Sequence, residues 1–296
     1  MDCIARVREF NRTVTERIGA LDDHYLARGR PLGQSRLLWE VGAAGPDGAE
    51  LRDLRERLGL DSGYLSRQLR ALEADGLVRV SPSAADSRVR VVQLTGRGRA
   101  ERRELDRGSD DLARGILDPL TDRQRSRLLD AMDEVRRLMT ASAVEVRAVD
   151  PAEPAARASI AAYFAELADR FDIGFDPAKA RPTSEDEFRP PHGAFLVAFL
   201  HGTAIGCVGV KRRDGDEFAE VKRLWVSPDA RGIGLGARLL REVEAAAGRL
   251  GAASVRLDTN RTLTEAIALY RANGYIEIPD FNGERYADFW FEKRLG

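Results

Sequence analysis

The sequence predicts an α+β chain of two domains, a mainly helical half followed by a mixed α/β half, and three observations carry that expectation. Its 296 residues are more than one ordinary core needs and suit two domains of about 150 each. Helical periodicity dominates up to about residue 140 and then gives way to strand-like runs from Val144 onward. Between a strand-like run, 221–226, and a helix-like run, 237–250, lies Arg231-Gly232-Ile233-Gly234-Leu235-Gly236, whose glycines open the backbone at a helix start. The expected division is 1–143 and 144–296.

Composition narrows the class. With 43% hydrophobic and 32% charged residues the chain reads as globular, and no run approaches the roughly 18 apolar residues of a membrane helix. The first residues lack a signal-like apolar segment, so a cytoplasmic location is expected. The two cysteines, Cys3 and Cys207, lie too far apart to suggest a disulfide framework; Cys207 reads as core and Cys3 as an incidental residue of the first helix rather than a redox thiol. The three histidines, His24, His192 and His201, form no cluster with cysteine at ligand spacing, so no metal is expected.

Taken in order, Ile4, Val7, Val14, Ile18, Leu21 and Tyr25 share one stripe, and the spacing predicts an amphipathic helix over 2–28, stopped by Gly29 and Pro31. A second helix covers 32–41, and a third carries Leu51, Leu54 and Leu58 before Gly59. Asp61 or Ser62 caps a fourth, which turns Leu65, Leu69 and Leu72 inward and leaves Ser62, Tyr64, Ser66, Arg67 and Arg70 outward. This arrangement describes a helix-turn-helix or, equally, a helical hairpin with a solvated face. The strand-like runs 77–81 and 89–94, joined by a polar tip, favour the former, because a hairpin in that place makes a winged helix. Arg88 and Arg90 stand on the returning edge of the wing, where arginine can reach phosphates or a narrow minor groove. Residues 62–103 hold nine arginines against four acids, although the whole chain has a net charge of −1.

The stretch ALEADGLVRVSPSAADSRVRVVQLTGRGRA resembles the MarR family of regulators in its Leu-Glu-x-x-Gly-Leu-Val turn, its wing Asp and Arg, and its Leu-Thr-x-x-Gly step into the next helix. The resemblance implies double-stranded DNA as a partner, and a homodimer formed through 2–28 and the helices 95–116 and 121–140. Two recognition helices about one DNA turn apart would then favour a palindromic operator. The stripe Leu128, Leu129, Met132, Val135 and Met139 suits that dimer or an intramolecular core.

In the second half the pattern predicts strand 144–149, helix 155–170, and strands 193–200, 203–212 and 217–226. After the glycine run come helix 237–250, strand 254–258, helix 262–272 and terminal strands near Tyr275 and Phe289. The glycine spacing is neither G-x-G-x-x-G nor G-x-x-x-x-G-K-[ST], so the usual nucleotide readings lose weight, while a helix start with Arg231 beside it remains an anion cradle. VKRLWVSPDARGIGLGARLL followed by EAIALYRANGYIEI resembles the GCN5-related N-acetyltransferase (GNAT) superfamily, whose Arg/Gln-x-x-Gly-x-Gly/Ala pattern binds the pyrophosphate of coenzyme A.

That resemblance implies acetyl-CoA as cosubstrate, held by Arg231, Gly232, Ile233, Gly234, Leu235, Gly236 and Ala237, with Leu224, Trp225 and Val226 pairing along its pantetheine arm. Tyr270 takes the position of the tyrosine that protonates the leaving sulfur. Glu220, or Glu217 in its place, is the candidate base for a primary amine acceptor. Many members have an asparagine where this chain has Leu263, and Asn260 is the substitute contact. Tyr163, Phe164, Phe171, Phe175 and residues 281–288 are candidate linings of the acceptor site. Together the halves imply a transcriptional regulator that is also an acetyltransferase. Two alternatives stay open: a regulator that senses acetyl-CoA without turnover, and an acetyltransferase whose helical half only dimerises.

Overall fold

The computed structural model describes residues 2–296 apart from 22–24, Ala84 and Ile173, so His24 lies outside the described residues. The chain forms two compact units, Met1–Ala131 and Met132–Gly296. The boundary between these units lies within the helix Asp122–Ala143.

In the first unit α1 (Cys3–Arg17) stops earlier than the stripe predicts. Gly19 adopts a φ of 64°, and the amides of Gly19 and Ala20 turn back to the carbonyls of Glu16 and Thr15, a left-handed closure that satisfies the helix end. Then follow α2 (Leu32–Ala43), the short β1 (Ala49–Glu50), α3 (Leu51–Leu58) and α4 (Ser62–Ala74). The wing is β2 (Val78–Pro82) and β3 (Arg90–Leu94), with β1 added to give the order β1-β3-β2. Two residues long, β1 is too short to show periodicity in sequence. Leu38, Leu54, Leu65, Leu69, Leu72 and Val92 meet in one core, so the leucine spacing of α3 and α4 does what it predicts. The long helices α5 (Gly96–Leu117) and α6 (Asp122–Ala143) complete this half. Neither α1 nor α6 buries a residue: Ile4, Val7, Phe10, Leu129, Met132 and Met139 are exposed, while Leu128 and Val135 of the α6 stripe are half-buried.

The second unit is a seven-stranded sheet. Its elements are β4 (Glu145–Ala148), α7 (Pro154–Arg170), β5 (Gly193–Leu200), β6 (Thr203–Lys211) and β7 (Phe218–Val226). After these come α8 (Leu235–Arg249), β8 (Ser254–Thr259), α9 (Thr264–Ala272), β9 (Ile276–Ile278) and β10 (Phe289–Arg294). The strand order is β4-β5-β6-β7-β8-β10-β9. All neighbours are antiparallel except β7 and β8, which α8 joins as a crossover. Both sheet faces are covered: Phe195, Val197 and Phe199 of β5 enter one cluster, and Leu196 and Ala198 enter the other with Leu239, Leu240 and Val243 of α8. No helix of the described residues is long and apolar enough to cross a membrane.

Candidate functional site

The parallel pair β7 and β8 positions the site by coming apart. They pair only at Phe218–Ser254, Ala219–Val255 and Glu220–Arg256, yet β7 continues to Val226 and β8 to Thr259. On its other side β7 is bulged: Cys207 faces Trp225 and Gly209 faces Lys222, so Arg223 and Leu224 oppose Val208 alone. Arg223 takes a φ of 58° to do so, a left-handed conformation uncommon for a residue with a side chain. The splay leaves a β7 edge from Lys222 to Val226 without a strand partner inside the sheet. Two cavities open there, of about 460 and 350 Å³, and Tyr163, Leu167, Leu224, Leu263 and Ala266 form their shared wall.

The larger cavity gathers the glycine run. Leu224, Trp225, Val226, Arg231, Gly232, Gly234, Leu235, Gly236 and Ala237 line it, with Glu166 and Arg170 of α7. Gly232 and Gly234 have φ of 79° and 78°, and a Cβ built on either meets no atom within 4 Å. Their glycine requirement is therefore conformational, and the space before the α8 N-terminus is open to a ligand. Gly236 differs: a Cβ there would lie 3.0 Å from Leu269 Cδ2, so it lets α8 approach α9. Ile233 packs against the core and lines neither cavity. The side chain of Arg231 is not a free cation. It donates to Glu166 at 2.6 and 2.7 Å and to the Val226 carbonyl, while Glu166 also accepts from Trp225 Nε1 at 2.9 Å and from Arg170 at 3.2 Å.

The smaller cavity contains Tyr270, whose phenol burial and the nearby Asp258 push well above the usual tyrosine range. It is protonated at neutral pH. The phenol of Tyr163 is raised for the same leading reason. Phe164, Phe171, Phe175 and Tyr286 form the expected aromatic wall, with ring centroids 5.0–6.0 Å apart. Phe281 and Asp288 are not part of it.

Three expected contacts are placed differently. Glu220 is 7% exposed and does not line the cavity; it accepts from Arg181 at 3.3 Å and stands 3.7 Å from the buried Lys211. The cause is register, which sets Glu220 directly opposite Lys211 on β6. Glu217 is exposed and outside both cavities. Asn260 lies on the smaller cavity, and its amide is spent on the loop: it donates to the Tyr286 carbonyl at 2.8 Å and accepts from Thr262. The carboxylates on the smaller cavity are Asp258, paired with Lys222 and Asn282, and Glu284. Glu284 falls within the expected lining 281–288, whereas nothing in sequence singled out Asp258, whose partners come from distant segments.

Comparison with known proteins decides the family. Residues 161–275 match the acetyltransferase (GNAT) family model. N-alpha-acetyltransferase RimI of Mycobacterium tuberculosis is 34% identical over 117 residues, which are 38% of this chain and 71% of that protein. The chain belongs to the GNAT acetyltransferase family. An uncharacterized N-acetyltransferase of Schizosaccharomyces pombe is 44% identical over 90 residues, and an IAA acetyltransferase of Azospirillum brasilense 38% over 91; these cover 30% and 31% of this chain. The match spans 55% and 60% of the length of those two relatives. Residues 28–89 match the MarR family model, so this GNAT protein carries a MarR-family region ahead of its GNAT-family unit.

In that region of the GNAT protein, α3, a turn at Gly59 with φ of 62° and α4 form the helix-turn-helix. Asp61 caps α4, accepting from the Tyr64 amide at 2.8 Å. Ser62, Ser66, Arg67 and Arg70 are exposed, and Arg70 donates to the Ser66 carbonyl. Tyr64 is half-buried instead, its hydroxyl 2.8 Å from where a Cβ on Gly33 would sit. On the wing Arg90 is exposed, whereas Arg88 is tied to Asp86 at 2.9 and 3.0 Å. Among the described residues no cluster of His, Cys, Asp and Glu could hold a metal ion.

Proposed function

We propose that the second unit transfers the acetyl group of acetyl-CoA to a primary amine. The observation that carries this reading is the unpaired β7 edge running into the open, glycine-lined start of α8, with a buried phenol beside it. Gly232, Gly234 and the first amides of α8 fit a pyrophosphate, and the β7 edge fits an amide-bearing pantetheine arm added as a strand. Arg231 supports the cradle by holding Glu166 and the Val226 carbonyl, and Trp225 is oriented by the same carboxylate.

Acetyl-CoA supplies an activated acyl carbon. At the smaller cavity Glu284 receives a proton from the acceptor ammonium, freeing the lone pair that forms the C–N bond. As the C–S bond breaks, Tyr270 gives its proton to the sulfur and recovers one from the nitrogen of the new amide. Glu220 serves this site by fixing Arg181 rather than by touching the amine. Thiol release measured against an amine panel tests the reading. Tyr270→Phe should lower kcat by about 10²- to 10⁴-fold while calorimetric affinity for acetyl-CoA stays near that of the parent. Acetyl-CoA binding without release from any amine would favour the sensing role.

For the first unit we infer duplex DNA binding, with Ser62, Ser66, Arg67 and Arg70 presented to a major groove and Arg90 to the backbone. Tyr64 is a packing residue of that helix. The exposed apolar faces of α1 and α6 support a homodimer, and hence a palindromic operator. The protein then combines regulator and enzyme.

A further inference from the structure

The charges on the smaller cavity name an acceptor class, an inference that rests on the acetyltransferase reading. Five charged side chains line this cavity: Arg181, Lys222, Arg223, Asp258 and Glu284. Arg181 is bound by Glu220 at 3.3 Å and Lys222 is bound by Asp258. Two opposite charges are left over.

Arg223 has no ion-pair partner among the described residues. Of its five N–H donors, one reaches the Thr183 carbonyl, at 3.5 Å, and the guanidinium otherwise lies over Phe188 and Phe164 at 4.8 and 5.6 Å from the ring centres. Desolvation weakens its hold on its proton, although Glu185 and Glu187 oppose that effect. Those carboxylates are engaged elsewhere: Glu187 with Lys211 at 3.0 Å and Glu185 with Arg157 at 3.6 Å. The residue also bears the left-handed φ of 58° at the β7 bulge, a strain that the surrounding structure sustains.

Glu284 is the complementary case. Its Oε2 accepts from the Arg181 amide at 3.1 Å, but Oε1 is buried with no hydrogen-bond partner, which is costly unless a ligand supplies a donor. Arg223 and Glu284 are both tied to the segment 181–183, whose ends lie at most about 7 Å apart. The unmatched cation and the unmatched carboxylate thus share one stretch of wall, next to the rings of Phe164, Phe171, Phe175 and Tyr286.

We propose that the acceptor is a free amino acid with an apolar side chain, its carboxylate on Arg223, its ammonium on Glu284 and its side chain among the four rings. A protein lysine or a peptide N-terminus brings the amine without the adjacent carboxylate, and leaves Arg223 unmatched. A guanidinium–carboxylate contact in a half-buried site is strong enough for selection.

Turnover of L-phenylalanine, L-phenylalaninamide and phenethylamine by the full chain tests this, each rate corrected for the fraction of free amine. The acid should exceed both analogues in kcat/KM by about 10- to 100-fold. In Arg223→Gln that ratio should fall toward one, and Arg223→Lys should restore part of it. Equal rates for the three amines in the parent protein, or a lysine peptide preferred over all of them, overturn the proposal whether or not the variants fold. If calorimetry shows acetyl-CoA binding in those cases, the acetyltransferase reading survives. Failure to bind acetyl-CoA removes both.

Discussion

The two cavities beside β7 share a wall but are built in opposite ways. The larger draws most of its lining from one continuous stretch, residues 224–237, and backbone conformation does the work through two left-handed glycines. The smaller is assembled from α7, the 175–183 segment, β7, β8, α9 and the 284–286 loop, and side-chain charge does the work. A site made of neighbours in sequence tolerates no change of conformation at its glycines. A site made of distant segments depends on which charges remain after the protein has paired the others.

The largest effect should come from the cradle. Gly234→Val forces a β-branched residue into a φ of 78°, where left-handed conformations cost roughly 1–3 kcal/mol, and the chain will relieve that by turning the α8 amides away. Calorimetry should show loss of acetyl-CoA binding with the unit still folded. Gly236→Val, two residues on, should instead act through overpacking against Leu269, lowering stability by about 1–3 kcal/mol and weakening binding less. If the two variants bind equally well, the glycines do not have separate tasks.

The smaller cavity gives the next contrast. Glu284→Gln removes the carboxylate proposed as the base, and should lower kcat/KM for the amine by at least about tenfold with little change in thermal stability. Glu220→Gln breaks a buried pairing to Arg181 and Lys211, so its main cost should be to stability, about 3–5 kcal/mol as for other buried ion pairs that lose one partner. Thermal unfolding and kinetics on the same samples separate them. A kinetic loss in Glu220→Gln alone would return the base role to β7.

How much of this could be read from sequence follows the same division. The order of the helices and longer strands and the glycine run are local patterns that spacing locates, whereas Tyr270 came from the family resemblance and lies on the smaller cavity. The end of α1 at Arg17 escaped because the apolar stripe continues past Gly19, whose left-handed turn outweighs it. The pairing of Arg231 with Glu166 joins residues 65 positions apart, and that of Arg181 with Glu220 joins residues 39 apart, so neither leaves a trace in local spacing. Sequence shows which residues can carry charge. The fold decides which of those charges are already neutralised.

The MarR-family unit offers the smallest and most specific test of that principle. Arg67 and Arg88 look equivalent in sequence, each on an element that a MarR-family region would present to DNA. Structurally, Arg67 is exposed on α4 and free of ion pairs among the described residues, whereas Arg88 already holds Asp86 through two hydrogen bonds. Binding Arg88 to a phosphate must therefore displace a carboxylate, which offsets part of the gain. Affinity for the protein's own upstream duplex, measured across a salt series, should fall several-fold in Arg67→Ala, with the log–log salt slope reduced by about one if the contact is to phosphate. Arg88→Ala should change both quantities less, and Asp86→Ala should strengthen binding by freeing the wing arginine. A larger loss at Arg88 than at Arg67 would mean that the Asp86 pairing opens on DNA, and that the wing rather than α4 makes the dominant contact.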